Sequence, residues 1–207
     1  MDALEALHTR VSAPRLGGDP PDENVLNNIF EAALRAPDHA LLRPWRFIVV
    51  KQDGLSVLGD LFADVTREMN PDATEAEVEK ARGKPLRAPM IVVVIANVTK
   101  HAKVPDIEQV ISAGAAAQSM LLAAHAQGIG AMWRTGGMAY HPSIHAGLGL
   151  SGHEQIIGFL YMGKREGKSR NLPGLSVEDY VSYWDCLLYT SDAADDMQCV
   201  DLGGRRI

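Results

Sequence analysis

A mixed α/β or α+β domain, with helices covering one sheet, is the fold class that the sequence predicts. Three observations predict it. Stretches of helical period alternate with short β-branched apolar runs. The two most apolar of these runs, 90–96 (MIVVVIA) and 155–162, are bounded by turn residues and read as buried strands. The connections are not the regular βαβ units of ~30 residues that build a doubly wound sheet. With 207 residues, one domain plus an appendage is the expected organisation.

Asp2–Thr9 is expected to be a short helix ahead of Arg10, with Leu4 and Leu7 on one side. Asp22–Arg35 is a stronger helix. Pro20, Pro21, Asp22 and Glu23 supply start signals, and Val25, Leu26, Ile29, Phe30, Ala33 and Leu34 form one face. Pro37 ends it, because the residue before a proline is pushed out of the helical region. Trp45–Val50 reads as a strand. Gly54–Met69 and Thr74–Arg82 read as helices joined by Asn70-Pro71-Asp72.

Met90–Val98 is the most apolar strand. Glu108–Gln127 is a long helix with Ser112-Ala113-Gly114-Ala115-Ala116-Ala117 in its first half. It is apolar all round, so burial on most sides is expected. Its small residues admit a second backbone, which points to the core of a two-fold dimer. Gly128-Ile129-Gly130 turns into a short strand through Met132-Trp133-Arg134. Pro142–Leu148 is a short helix with proline in its first turn. Gln155–Met162 is a second buried strand, Gly163–Pro173 a basic loop, and Leu175–Trp184 an extended or mixed tail.

The domain is expected over residues 1–185. From Cys186 the chain reads CLLYTSDAADDMQCVDLGGRRI, without a period, and resembles a translated sequencing adapter. Residues 186–207 are therefore read as a non-native tail and set apart from the fold. Both cysteines fall there, and their absence from 1–185 points to the cytoplasm. No N-terminal stretch joins a basic start to an apolar core, so no secretory signal is expected. The longest apolar run is too short to span a bilayer. A net charge of −6 argues against nucleic acid as the main partner.

Chemistry-bearing residues are few. His141 and His145 are four apart, but a zinc site needs three or four ligands and no third is in reach. No G-x-S-x-G is present. Gly128-Ile129-Gly130 follows a helix rather than a strand, so it reads as a turn and not a dinucleotide fingerprint. His39, in the stretch RAPDHALLRPWRF, has no partner base, nucleophile or metal ligand nearby in sequence. Basic clusters sit at three element ends, around Arg10 and Arg15, at Arg134, and over Lys164–Arg170. Any one alone reads more readily as solvated charge. Together they point to a small anionic cofactor, since guanidinium groups match phosphate geometry.

These residues add up to a resemblance. Arg10-Val11-Ser12 resembles the N-terminal R-x-S flavin-phosphate motif of nitroreductases. Arg35-Ala36-Pro37-Asp38-His39 with Arg43-Pro44-Trp45-Arg46-Phe47 is similar to their APSS…QPW-x-F segment. The run 128–136 (GIGAMWRTG), Lys103-Val104-Pro105 with Glu108-Gln109, and 157–163 (IGFLYMG) resemble a small bacterial subgroup of NAD(P)H nitroreductases. The likeness is nearly continuous from residue 1 to about 184.

The resemblance implies an α+β fold with a central, mostly antiparallel sheet, and an intertwined homodimer holding FMN at its interface. NADH or NADPH is the implied electron donor and a small-molecule oxidant the implied partner, with neither nucleic acid nor membrane. Arg10, Val11 and Ser12 would hold the phosphate end. Arg35 and His39 would line the flavin from the opposite subunit. Trp133, Arg134 and Thr135 would lie along its ring edge, and Lys168 and Arg170 resemble a late phosphate clamp. The segment Ala123, Ala124, His125, Ala126, Gln127 and Gly128 matches one that contacts nicotinamide. No catalytic side chain is implied, because the flavin carries the chemistry. Nitroaromatic or quinone-like acceptors reduced by ping-pong hydride transfer are the implied activity. A dehydrogenase or dehalogenase on the same fold, or a non-catalytic flavin-binding protein, are the alternatives. The sequence departs from the family pattern at His39–Arg43, where Leu41, Leu42 and Arg43 replace small polar residues and glutamine.

Overall fold

The strand β3 (Met90–Asn97) forms the centre of the sheet, and its first seven residues are buried. The computed structural model describes residues 1–168 and 172–184. On one side β3 pairs antiparallel with β2 (Trp45–Lys51), Trp45 opposite Ala96 and Lys51 opposite Met90. On the other it pairs antiparallel with β5 (Glu154–Arg165), Met90 opposite Met162. The long β5 also carries β4 (Gly130–Arg134) and, at its far end, β1 (Leu16–Gly17), both antiparallel. Every pairing among the described residues is thus antiparallel, as the α+β expectation requires.

Period two explains why β3 is apolar on both faces. Ile91, Val93 and Ile95 pack with Phe159 and Tyr161 of β5 beneath helix α3 (Asp53–Met69), through Leu55, Leu58, Phe62 and Val65. Met90, Val92 and Val94 face the other way with Leu160 and Met162. They pack on Ile29 and Ala33 of α2 (Glu23–Ala33) and on Ala116, Ala117, Met120, Leu121 and Ala124 of α5 (Asp106–Ala126). Each fully buried valine or isoleucine contributes roughly 1.5–3 kcal/mol of transfer free energy.

Three helix starts follow directly from the side-chain chemistry of their caps. Asp2 accepts from Glu5 N at 2.9 Å to open α1 (Ala3–Thr9), and Asp22 accepts from Val25 N at 2.9 Å to open α2. Thr74 and Glu77 form a reciprocal capping box on α4 (Glu75–Arg82). Gly128, with φ of +78°, closes α5: Ile129 N reaches back to Ala124 O at 2.9 Å, a left-handed cap that only glycine adopts freely. Two further short helices, α6 (Gly137–Tyr140) and α7 (Pro142–Gly147), follow β4.

Several expectations need correction. α5 begins at Asp106, two residues ahead of Glu108, and within one chain it buries only one face. Its outer face, with Ile107 and Ile111 more than 60% exposed, is uncovered. Gly163–Arg165 are not loop but the end of β5, because β1 and β4 pair with them. β1 and α6 were not anticipated. Two and four residues carry too little periodicity to register.

One ladder defect matters for the site. Val94 pairs with Gly158 but Ile95 pairs with Ile156, so Ile157 is an extra residue in β5. At the open end of this strand pair, Arg46 Nε and Nη2 donate to the Glu154 carboxylate at 2.6 and 2.8 Å, and Ser151 N adds a third donor at 2.8 Å. Burial opposes the charge of Glu154, but Arg46 outweighs it and holds the carboxyl down at about 2.

The chain forms two compact units, Met1–Arg170 and Asn171–Ile207. The described part of the second contains one 3-10 turn, Val177–Asp179, where Tyr180 N and Val181 N share Val177 O and Ser176 bonds to Glu178.

Candidate active site

Trp133 is seated by the defect in β5. Its Nε1–H donates to the carbonyl of Ile157, the unpaired residue, at 3.2 Å. Next to it, Gly158 leaves the space the ring fills. A Cβ there would overlap the indole and come within 2.6 Å of its Cδ1. The next residue, Arg134, turns to the opposite sheet face and stacks over Tyr161, 5.4 Å from the ring centroid. Its Nε is the one buried side-chain polar atom without a partner among the described residues. After Thr135 the chain reverses at Gly136, whose φ of +97° strongly favours glycine.

This reversal borders a cleft of about 520 Å³, of the size that holds small ligands. Its walls combine Trp133, Arg134, Thr135 and Gly136 with Phe62 and Tyr161, and with two cations, Lys84 and Arg87, that the sequence reading missed. Burial pushes the Tyr161 phenol up, and the nearby guanidiniums of Arg134 and Arg87 oppose that shift. The cleft is therefore aromatic, apolar and cationic. It suits a planar ligand that carries or acquires negative charge.

The N-terminal motif lies beside the start of the same strand. Ala13 N donates to Ala131 O at 2.9 Å, which holds the preceding Arg10-Val11-Ser12 along β4. Val11 is buried, while Arg10 and Ser12 are half-exposed. Leu16 pairs with Arg165 of β5, and Thr9 Oγ1 lies 2.9 Å from His125 Nε2 of α5. Burial lowers the His125 pKa, and the charges of Arg165 and Arg10 lower it further. The imidazole is half-buried. Lys168 is exposed, three residues past the end of β5, and Arg170 lies outside the described residues.

Other expected residues do not join the Trp133 cleft within one chain. Arg35 borders a separate apolar hollow of about 380 Å³ with Ala3, Leu7 and Leu122. His39 Nδ1 lies 2.6 Å from Glu108 Oε2. The segment around it is strained: Ala40, Leu41 and Arg43 all have φ between +49° and +62°. Asp38 holds this turn by accepting from Arg43 N at 2.6 Å. Of the segment 123–128, Ala123 and Ala126 line the Arg35 hollow, Ala124 is core, and Gly128 is the helix cap. Gln127 is engaged with Asn28 and the Ala123 carbonyl. His141 caps α7 by accepting from Ser143 N, and His145 Nε2 lies 2.8 Å from Ala139 O.

Residues 7–164 match the family model described as Nitroreductase family. The chain belongs to the nitroreductase family. It is 38% identical over 187 residues to the protein named "Putative NAD(P)H nitroreductase YdjA" of Escherichia coli (strain K12), covering 89% of this chain and 100% of that one. Among solved structures it resembles a nitroreductase-like family protein from Bacillus cereus with a TM-score of 0.73 at 20% identity. That match covers 88% of this chain and 96% of the other. It also resembles a "putative nitroreductase in complex with fmn" from Desulfovibrio desulfuricans, with a TM-score of 0.63 at 25% identity over 84% and 93% of the two chains. The nitroreductase fold is therefore the fold of this protein. Among the described residues no helix is long and apolar enough to cross a membrane.

Proposed function

We propose that this member of the nitroreductase family is an FMN-dependent oxidoreductase that uses NAD(P)H to reduce nitroaromatic or quinone-like acceptors in a ping-pong cycle. The observation that carries the reading is the cationic, aromatic cleft at the end of β4, with the Arg10–Ser12 segment bonded alongside that strand. FMN fits the residues present: an orphaned guanidinium Nε, the half-exposed Arg10 and Ser12 beside β4, and a glycine reversal at Gly136 with nothing near it. When bound, FMN supplies the two-electron relay between donor and acceptor.

The side chains would bind and orient. Arg10 and Ser12, with Val11 packed beneath them, hold the phosphate end. Trp133, Arg134 and Thr135 set the ring edge. Arg134, Lys84 and Arg87 favour negative charge on the ring, the preorganised electrostatics on which such sites depend. Lys168 and Arg170 remain candidates for the clamp.

The working unit is a homodimer. The uncovered α5 face and the exposed Leu4 and Leu7 of α1 supply the apolar surface it needs. In that dimer Arg35 and His39 approach the site of the partner, residues 123–128 meet the nicotinamide, and the tail 175–184 reaches onto the partner. A cysteine-free 1–185 suits the cytoplasm.

The test is the absorbance spectrum of the purified protein, then anaerobic NADH followed by NADPH, then a quinone or nitroaromatic. A yellow protein bleached by a nicotinamide and restored by the acceptor is expected. A colourless protein that takes up no FMN overturns the proposal. Flavin binding without reduction by either nicotinamide would leave a non-catalytic flavin-binding protein.

A further inference from the structure

The turn before β3 brings two cations to one wall of the Trp133 cleft. Pro85–Arg87 is a 3-10 turn in which Arg87 N donates to Lys84 O at 3.4 Å. With three residues per turn, side chains at i and i+3 lie on the same side, so Lys84 and Arg87 line the cleft together. Arg134 enters from β4 as the third cation, over the Tyr161 ring. Among the described residues no carboxylate lines this cleft, in a chain of net charge −6. Nearby arginines are matched: Arg82 pairs with Asp60 and Glu79, and Arg67 with Asp64 and Glu75. Lys84, Arg87 and Arg134 have no such ion pair among the described residues. Phe62 and Phe159, edge to face with centroids 5.5 Å apart, add aromatic surface to the same cleft.

We propose that the cleft selects aromatic acceptors that carry a carboxylate, and that Lys84 and Arg87 are the residues that select them. The proposal rests on the FMN reading above and deepens it by naming the acceptor class.

The flavin does not satisfy all these cations. In that reading its phosphate lies with Arg10 and Ser12, and its ring takes one negative charge when reduced. One charge matches one of the three cations. The two from the turn remain for a second anion, which charge-assisted hydrogen bonds would hold. Oxidised nicotinamide has a positive ring, which the same wall repels, so the spent donor gives way to an anionic acceptor. A neutral acceptor of the same shape gains the aromatic contacts but leaves the two cations unmatched.

The test uses the FMN-loaded protein with 4-nitrobenzoate and its neutral isostere 4-nitrobenzamide. Calorimetric titration of the oxidised protein, with no nicotinamide present, reads binding alone. The benzoate is expected to bind roughly 10-fold or more tighter than the amide, and to lose most of that advantage in about 0.5 M salt. Lys84→Gln and Arg87→Gln are each expected to weaken the benzoate about 3- to 10-fold more than the amide. The rates at which the two compounds reoxidise the reduced protein should shift in the same ratio. Equal binding of the two compounds, or an equal loss of both in the variants, overturns the proposal while the FMN reading stands. Two other anions share this chemistry. A variant that loses FMN about tenfold more than riboflavin assigns the cations to the flavin phosphate. A rise in KM for NADPH without one for NADH assigns them to the 2′-phosphate. Either result overturns the proposal. A protein that takes up neither FMN nor riboflavin overturns the FMN reading itself.

Discussion

Glu154 keeps a charge in a place where only 8% of the residue meets solvent, because four donors from Arg46 and Ser151 converge on it. Its folded-state pKa lies below the unfolded value, so its contribution to stability is present above the unfolded pKa and is lost as pH falls toward about 2. Arg46 is partly exposed, which discounts the gain to roughly 2 kcal/mol. Glu154→Gln should lower stability by about that much at pH 7. The gap to the wild type should close between pH 5 and pH 2 in urea denaturation measured across that range. At Gly158, substitution by alanine drives a methyl group into the Trp133 indole. It should cost about 1–3 kcal/mol and shift the tryptophan emission, with flavin content falling in step. Arg10, Ser12 and Trp133 were legible in the sequence because they stand in local motifs. Lys84 and Arg87 were not. Each looks like ordinary surface charge until the turn before β3 brings it to the site.

The turn 38–43 shows what an element can hide. The sequence marks it as a departure from the family pattern, but nothing in it predicts that Ala40, Leu41 and Arg43 all adopt left-handed backbone. Each such residue costs about 1–2 kcal/mol, offset here by the Asp38 carboxylate on Arg43 N and by His39 against Glu108. Leu41 is 77% exposed, so replacing it sacrifices little packing. Leu41→Gly should therefore raise stability by up to about 1 kcal/mol, and Leu41→Ala should not, as read by thermal melts of both variants. By contrast, α2, α3 and α4 were legible almost to the residue: α2 and α4 carry their own side-chain caps, and α2 and α3 an apolar stripe.

At the scale of the molecule, the fold class was legible but the strand order was not. The alternation of helical and strand periods in sequence announces a covered sheet. That β5 pairs with β1, β3 and β4 is a matter of long-range register, which no local pattern encodes. The dimer expectation came from the small residues of α5, and the uncovered Ile107 and Ile111 sharpen it. Replacing both with lysine should leave the monomer fold intact, since neither is in the core. Sedimentation should then show a monomer, and flavin content should drop with it. A variant that stays dimeric and yellow would refute this arrangement.

β5 is one residue longer than its partner β3 requires. Removing Ile157 alone would let Ile156 and Gly158 sit next to each other opposite Ile95 and Val94, so the ladder would run unbroken and every later residue would keep its side. The surplus residue is therefore a graft that the sheet can shed, and it is the one whose carbonyl docks the indole. A chain lacking Ile157 should fold, with far-ultraviolet dichroism unchanged, yet lose the fixed tryptophan and much of its grip on the flavin. Architecture and chemistry would then come apart at a single peptide unit.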